Sequence, residues 1–121
     1  MVFNLLILNE KIRDHLFRLL RTNRYQPEVR TGLDELLDAL KGSHNPVVFL
    51  DTEAAVIYGA GIYSKIKAAA HWGRIILLCD QAHRHLIQVA MEQGSYGSVL
   101  EPYAEWELLT IVKHILSDIR Q

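Results

Sequence analysis

Three stretches of Val, Ile, Leu and Phe, at Phe3–Leu8, Val47–Leu50 and Arg74–Cys79, constrain this chain more than any other feature. A half-buried strand alternates apolar and polar residues. A run that is apolar at nearly every position matches instead a strand covered on both sides, as in a parallel sheet with helices on each face. Two weaker runs, near Glu28–Thr31 and at Ser98–Leu100, bring the expected strands to five. Between the runs apolar residues recur at helical spacing. Ile12, Leu16, Leu19 and Leu20 form one stripe, with Arg13, Asp14 and Arg18 on the solvent side; Leu33, Leu36, Leu37 and Leu40 form a second. A third helix, Tyr63–Ala70, is alanine-rich, and a fourth carries Leu86, Val89 and Ala90. A fifth opens after Pro102 and presents Trp106, Leu109, Val112 and Leu116 on one face. Gly32, Gly42, Gly73, Gly94 and Gly97 stand where the chain must turn. Strands alternating with helices imply right-handed crossovers between parallel strands. The expected fold is therefore α/β, a flavodoxin-like doubly wound (βα)5 unit with sheet order 2-1-3-4-5, forming a single domain over residues 1–121.

Length and charge narrow the function. A chain of 121 residues is long enough to bury one core. A net charge of -1, with lysines and arginines scattered between acids, makes no electrostatic case for nucleic acid or an anionic membrane as partner. No apolar stretch approaches the roughly 18 residues of a membrane span. The lone cysteine, Cys79, excludes an intramolecular disulfide and fits a reducing compartment, so the expectation is a cytoplasmic module.

In a doubly wound sheet, chemistry belongs outside the carboxyl ends of the strands. Those ends carry Asn9-Glu10, Asp51, Cys79-Asp80 and Glu101-Pro102. In these positions the chain resembles response-regulator receiver domains of the CheY-like kind, over essentially its whole length. Receivers place two acids after strand 1, where "LLILNEK" has Asn9-Glu10. Their phosphoacceptor aspartate ends strand 3, matching Asp51 in "PVVFLD". A Ser or Thr ends strand 4, where Cys79 stands, and a Lys-Pro pair ends strand 5, where Glu101-Pro102 stands. The segment "AMEQGSYGSVLEPY" carries the resemblance best, because its glycines, apolar pair and proline fall in the family's order.

The departures point one way. Phosphorylation of a receiver aspartate needs Mg²⁺ held by carboxylates. Glu10 and Asp51 are the metal-ligand candidates, while Asn9 supplies only a neutral oxygen. Glu101 reverses the charge of the lysine that would pair with the phosphoryl group. At about 4 Å such a carboxylate repels an acyl phosphate by a few kcal/mol. The Cys79 S–H is a weak donor in place of a hydroxyl. Ser98 replaces the family's switching aromatic, and "TEAAVIYGAG" lacks the usual Pro-x-Met-x-Gly. A degenerate, pseudo-receiver type is expected, with no cofactor beyond a weak Mg²⁺ site.

Bland readings stand beside the sharp ones. Asp51 is either a phosphoacceptor or a solvated strand-end acid; Glu10, Asp51 and Glu101 either hold a divalent cation or push one carboxyl's pKa up. Cys79 reads as a small buried residue rather than a redox sensor, because Asp80 disfavours the thiolate. His83 and His85 read as surface residues, and Tyr58–Gly61 as a mobile loop over the crevice without a nucleotide-binding fingerprint. Ile111, Ile115 and Ile119 fall on a second face of the last helix. With Leu86 and Ile87 they suggest a protein interface. The expected function is a non-enzymatic signalling module in bacterial two-component or transcriptional regulation, with an effector domain elsewhere in the full chain. It would act by contact with a protein partner or by homodimerisation through the helix 4–strand 5–helix 5 face. The alternatives are a working phosphoacceptor and, last, a small enzyme using the carboxylates as acid and base.

Overall fold

The structure, a computed structural model, describes residues 1–120. Five parallel strands, β1 (Val2–Leu6), β2 (Gln26–Val29), β3 (Val47–Asp51), β4 (Arg74–Cys79) and β5 (Gly97–Leu100), form one sheet in the order β2-β1-β3-β4-β5. That is the flavodoxin-like order. The helices are α1 (Glu10–Thr22), α2 (Leu33–Leu40), α3 (Thr52–Tyr58), α4 (Ile62–Ala69), α5 (His85–Glu92) and α6 (Glu105–Arg120), with a 3₁₀ turn at Gln81–His83. No helix among the described residues is long and apolar enough to cross a membrane.

The unbroken apolar runs divide their side chains between two cores, because successive strand residues point to opposite faces. Phe3, Leu5, Val47, Phe49, Ile76, Leu78 and Val99 pack against Leu16, Leu19 and Leu20 of α1 and Leu108, Val112 and Ile115 of α6. Leu6, Val48, Leu50, Ile75, Leu77 and Cys79 face α2, α3, α4 and α5. One polar residue enters this alternation. Asn4 is buried in β1, where its Nδ2 donates to the Val47 carbonyl (3.1 Å) and its Oδ1 accepts from Arg30 Nε (3.0 Å). Both the nitrogen and the oxygen of the amide thus have a partner, as buried polar groups generally do.

Three expectations need correction. β2 lies two residues earlier than Glu28–Thr31, at the sheet edge, where Pro27 removes no needed donor. The residues expected as a loop after Asp51 form α3, followed by a tight turn into α4. Gly59 permits that turn with φ 75° and ψ -178°, a combination open essentially to glycine alone. The Tyr58 hydroxyl accepts from the Leu33 amide (3.3 Å), which ties the end of α3 to the start of α2, while Gly59–Gly61 form the turn between α3 and α4. Lastly, α6 packs in a different phase. Leu108, Val112 and Ile115 form its buried stripe, with Leu109, Ile111, Leu116 and Ile119 half-buried beside it, while Trp106 is 67% exposed. Ile115, an interface candidate from the sequence, is 0% exposed and belongs to the core.

Candidate functional site

Three polar residues at the carboxyl ends of the strands act in the same way locally. Asn9 precedes α1 and its Oδ1 accepts the Ile12 amide (3.1 Å); Asp51 precedes α3 and its Oδ1 accepts the Ala54 amide (3.0 Å). Asp80 precedes the 3₁₀ turn and its Oδ1 accepts the His83 amide (2.9 Å). Each is an extended residue whose side chain takes up an N–H three residues on, which is the geometry of an N-cap. The strand-end Asn and Asp residues therefore start the following helical turns.

Asp51 carries more than a cap. It is 0% exposed, and its second oxygen, Oδ2, accepts the backbone amide of Asn9 at 2.8 Å. One carboxylate thus holds the loop after β1 and the start of α3 together, through two N–H groups that come from opposite sides. Asn9 reaches back across the same gap, with its Nδ2 3.4 Å from Glu53 Oε1. The reading of Asp51 as a solvated acid is corrected by this burial. Thr52, the next residue, accepts the Asp80 amide on its Oγ1 (2.9 Å) and so ties β4 into the assembly.

The remaining crevice residues make no hydrogen bond to Asp51. Glu10 is exposed in the first turn of α1. Cys79 points into the core between the sheet and α2–α5, and its Sγ donates to the His83 carbonyl (3.1 Å). Burial pushes the Cys79 thiol up; a hydrogen bond with Thr52 opposes this, and the charges of Asp80 and Glu101 add to it. Burial thus disfavours the thiolate, which is the nucleophilic form of a cysteine. His83 pairs its Nδ1 with Asp80 Oδ1 (2.8 Å), and its ring lies 6.1 Å from that of His85. Ser98 contributes a buried hydroxyl oxygen without a hydrogen-bond partner.

Glu101 follows a β5 that is extended by one bond, its amide donating to the Cys79 carbonyl at 2.8 Å, and its peptide to Pro102 is cis. It lines an open cleft of about 450 Å³ with His15, Gln81, Pro102 and Tyr103. Burial pushes the Glu101 carboxyl up, and the charges of Asp80 and Asp51 add to this. Burial, then Glu101 and Asp51, push Tyr103 up to about 12. Among the described residues no Lys or Arg forms a salt bridge with Asp51, Asp80 or Glu101, so the strand-end crevice is electronegative. No group of three or more His, Cys, Asp or Glu side chains there or elsewhere among the described residues comes together as a metal-holding set.

A pH dependence follows. A Glu whose pKa is raised by folding holds its proton more tightly in the native than in the unfolded state. Its contribution to stability is then full below the ordinary carboxylate range, about pH 4, and is lost as pH rises through the raised value. Glu101→Gln is expected to flatten this decline, as read from urea midpoints between about pH 4 and pH 7.

No family model matches the sequence, and no curated protein matches it. Solved structures do match the fold. A response regulator receiver protein from Burkholderia phymatum superposes with a TM-score of 0.77 at 19% identity, over 96% of this chain and 94% of that one. The CheY-like protein tadZ from Pseudomonas aeruginosa gives 0.76 at 18% identity, over 95% and 98%. Full-length FixJ from B. japonicum gives 0.84 at 18% identity, over 96% of this chain and 57% of that one. Sheet order and strand-end crevice place the chain among doubly wound α/β proteins of the flavodoxin-like kind. Within that class its fold is that of a CheY-like response-regulator receiver.

Proposed function

We propose that this chain is a signalling module of the receiver type that works through protein–protein contacts and not through conventional phosphorylation of Asp51. The observation that carries the reading is the state of Asp51: buried, with each carboxylate oxygen accepting a backbone N–H. An acyl phosphate forms by attack of a carboxylate oxygen on phosphorus as the donor's acetate or imidazole leaves, and here either attacking oxygen is buried and already shares its lone pairs with an amide N–H. A phosphoryl group would then face Glu101 instead of a cation. The residues also do not fit Mg²⁺: Asp51 is committed to amides, Asn9 Oδ1 caps α1, and Glu10 is the one remaining carboxylate of the expected pair.

The face formed by α5, β5 and α6 is the proposed contact surface, for a second copy or another protein. A groove of about 560 Å³ runs there between Arg84, Ile87, Gln88, Met91, Glu92 and Leu100, and Met91 is 68% exposed. Leu86 and Ile111 are half-buried and flank this face from the cores, whereas Ile119, also an interface candidate from the sequence, sits at the end of α6 beside Met1, Phe3 and Tyr25 and lies outside it. The likeness to receivers supports a place in bacterial two-component or transcriptional signalling, in the cytoplasm, with an output domain elsewhere in a longer regulator. No catalysis is assigned, since Cys79 is buried, its thiolate is disfavoured, and among the described residues its Sγ donates only to backbone carbonyls.

Incubation with acetyl phosphate and Mg²⁺, followed by intact mass, tests the reading. The expected result is no mass gain and, with a beryllofluoride mimic, no amide shifts at Asn9, Asp51 and Ala54. A phosphoryl mass increment that is absent in Asp51→Asn overturns it in favour of an active phosphoacceptor.

A further inference from the structure

At the opposite end of the sheet from the crevice, the amino end of β4 opens into a cleft of about 430 Å³, within the span of small-molecule sites, roughly 300–1,000 Å³. Its lining includes Lys67, His71, Trp72, Arg74, Gly94 and Tyr96. We infer that this cleft binds a free nucleotide, with the base on the indole of Trp72 and the phosphate on Lys67 and Arg74.

Trp72 is the first observation. It is 72% exposed and has φ 59°, a left-handed conformation that bulky residues rarely adopt. Backbone outliers of this kind concentrate at ligand sites. A large aromatic side chain displayed at such a residue offers a flat, apolar face on which any base can stack. His71 stands edge-on to it at 5.9 Å and extends the aromatic wall toward His44.

The cations are the second. Lys67 Nζ donates to the carbonyls of Gln93 (2.9 Å) and Gly94 (2.8 Å). An ammonium has three protons, so one remains. The approach depends on glycine: Gly94 has φ 80°, and a Cβ there would collide with Lys67 Nζ. Arg74 Nη1 donates to Asn45 Oδ1 (3.0 Å) and to the Trp72 carbonyl (3.2 Å). Among the described residues these are its only protein acceptors, which leaves the Nε and Nη2 donors of the fork for a ligand. Both cations are therefore fixed in place by protein oxygens before any ligand arrives, and a guanidinium fork suits phosphate geometry. Every charged side chain lining the cleft is a cation. The carboxylate bonded to the lining is Asp118, which accepts the Tyr96 hydroxyl (2.7 Å). In a chain of net charge -1 this cleft, and not the strand-end crevice, has the polarity for an anion.

Trp106→Phe leaves Trp72 as the sole tryptophan of the two, so its fluorescence reports this site alone. In that background we expect AMP to quench saturably, at least tenfold more tightly than adenosine or inorganic phosphate alone. Lys67→Met and Arg74→Met should each weaken AMP by about tenfold, as for loss of one charge-assisted hydrogen bond. If either variant fails to fold, amide shifts of Trp72→Ala against AMP replace it, and the shifts near Arg74 should shrink. Unsaturable quenching, equal affinity for AMP and phosphate, or unchanged affinity in Lys67→Met overturns the inference. So does binding confined to an oligonucleotide, which would mark a single-strand surface instead.

Discussion

Asp51→Ala is expected to lower the free energy of unfolding by about 3 kcal/mol, with little change in the urea dependence. Two amides lose their acceptor at once. The Ala54 N–H loses its cap, worth about 1 kcal/mol. The Asn9 N–H is left without its partner in a part-buried position, at a cost of about 1–3 kcal/mol. One effect works the other way: removing the Asp51 charge relieves Glu101. Asp51 is the weakest of the three causes that raise Glu101, after burial and Asp80, so this relief is the smaller effect. Asp51→Asn keeps one acceptor oxygen and should lose about half as much. Urea unfolding at pH 7 distinguishes the alternatives. A solvated acid or a free phosphoacceptor at this position would change stability by no more than about 0.5 kcal/mol on substitution. A loss that small would show that the two amides find other partners, and the argument that Asp51 is structurally committed would fall with it.

Strand order and the two-sided sheet were legible because burial on both faces erases alternation, and few other structures produce such runs. The edge strand was not, since Gln26-Pro27-Glu28-Val29 is exposed on one side and has the composition of a turn. Nor was α3, which is short and carries Val56 and Ile57, β-branched residues that face solvent and give no apolar stripe. Its start was nonetheless signalled, by Asp51 at the cap, Glu53 in the first turn and Gly59 beyond the end. The position of Asp51 was visible, but its use was not. A phosphoacceptor and an N-cap both want an aspartate after a strand, and the bond that separates them comes from Asn9, 42 residues away. The basic cleft at the amino edge also had no sequence signature. Lys67, Trp72, Arg74 and Tyr96 are brought together by the α4–β4 and α5–β5 connections, and Trp72 reads from sequence as one more apolar residue.

In α6 the sequence misled because apolar residues at 106, 108, 109, 111, 112, 115, 116 and 119 cover much of the helix circumference. Several stripes can be drawn through them, and only contact with the sheet and α1 selects Leu108, Val112 and Ile115. Two groups of substitutions test this selection. Ile115→Ala is expected to cost about 3 kcal/mol, the usual range for a large-to-small change in a filled core being about 2–5. Met91→Ala, at the groove on α5, should cost under about 1 kcal/mol of stability, because its side chain already meets water, and Ile87→Ala, half-buried against the core, about 1–2 kcal/mol. For binding the order should reverse. If the α5–β5–α6 face carries the partner or the second copy, Met91→Ala should weaken association by about 1 kcal/mol or more, measured by sedimentation for a dimer or by titration with an identified partner. Ile115→Ala should weaken it only as far as it unfolds the chain. A stable, well-folded Ile115→Ala that fails to associate would return Ile115 to the interface, and would mean that α6 turns by about one residue in the assembled state.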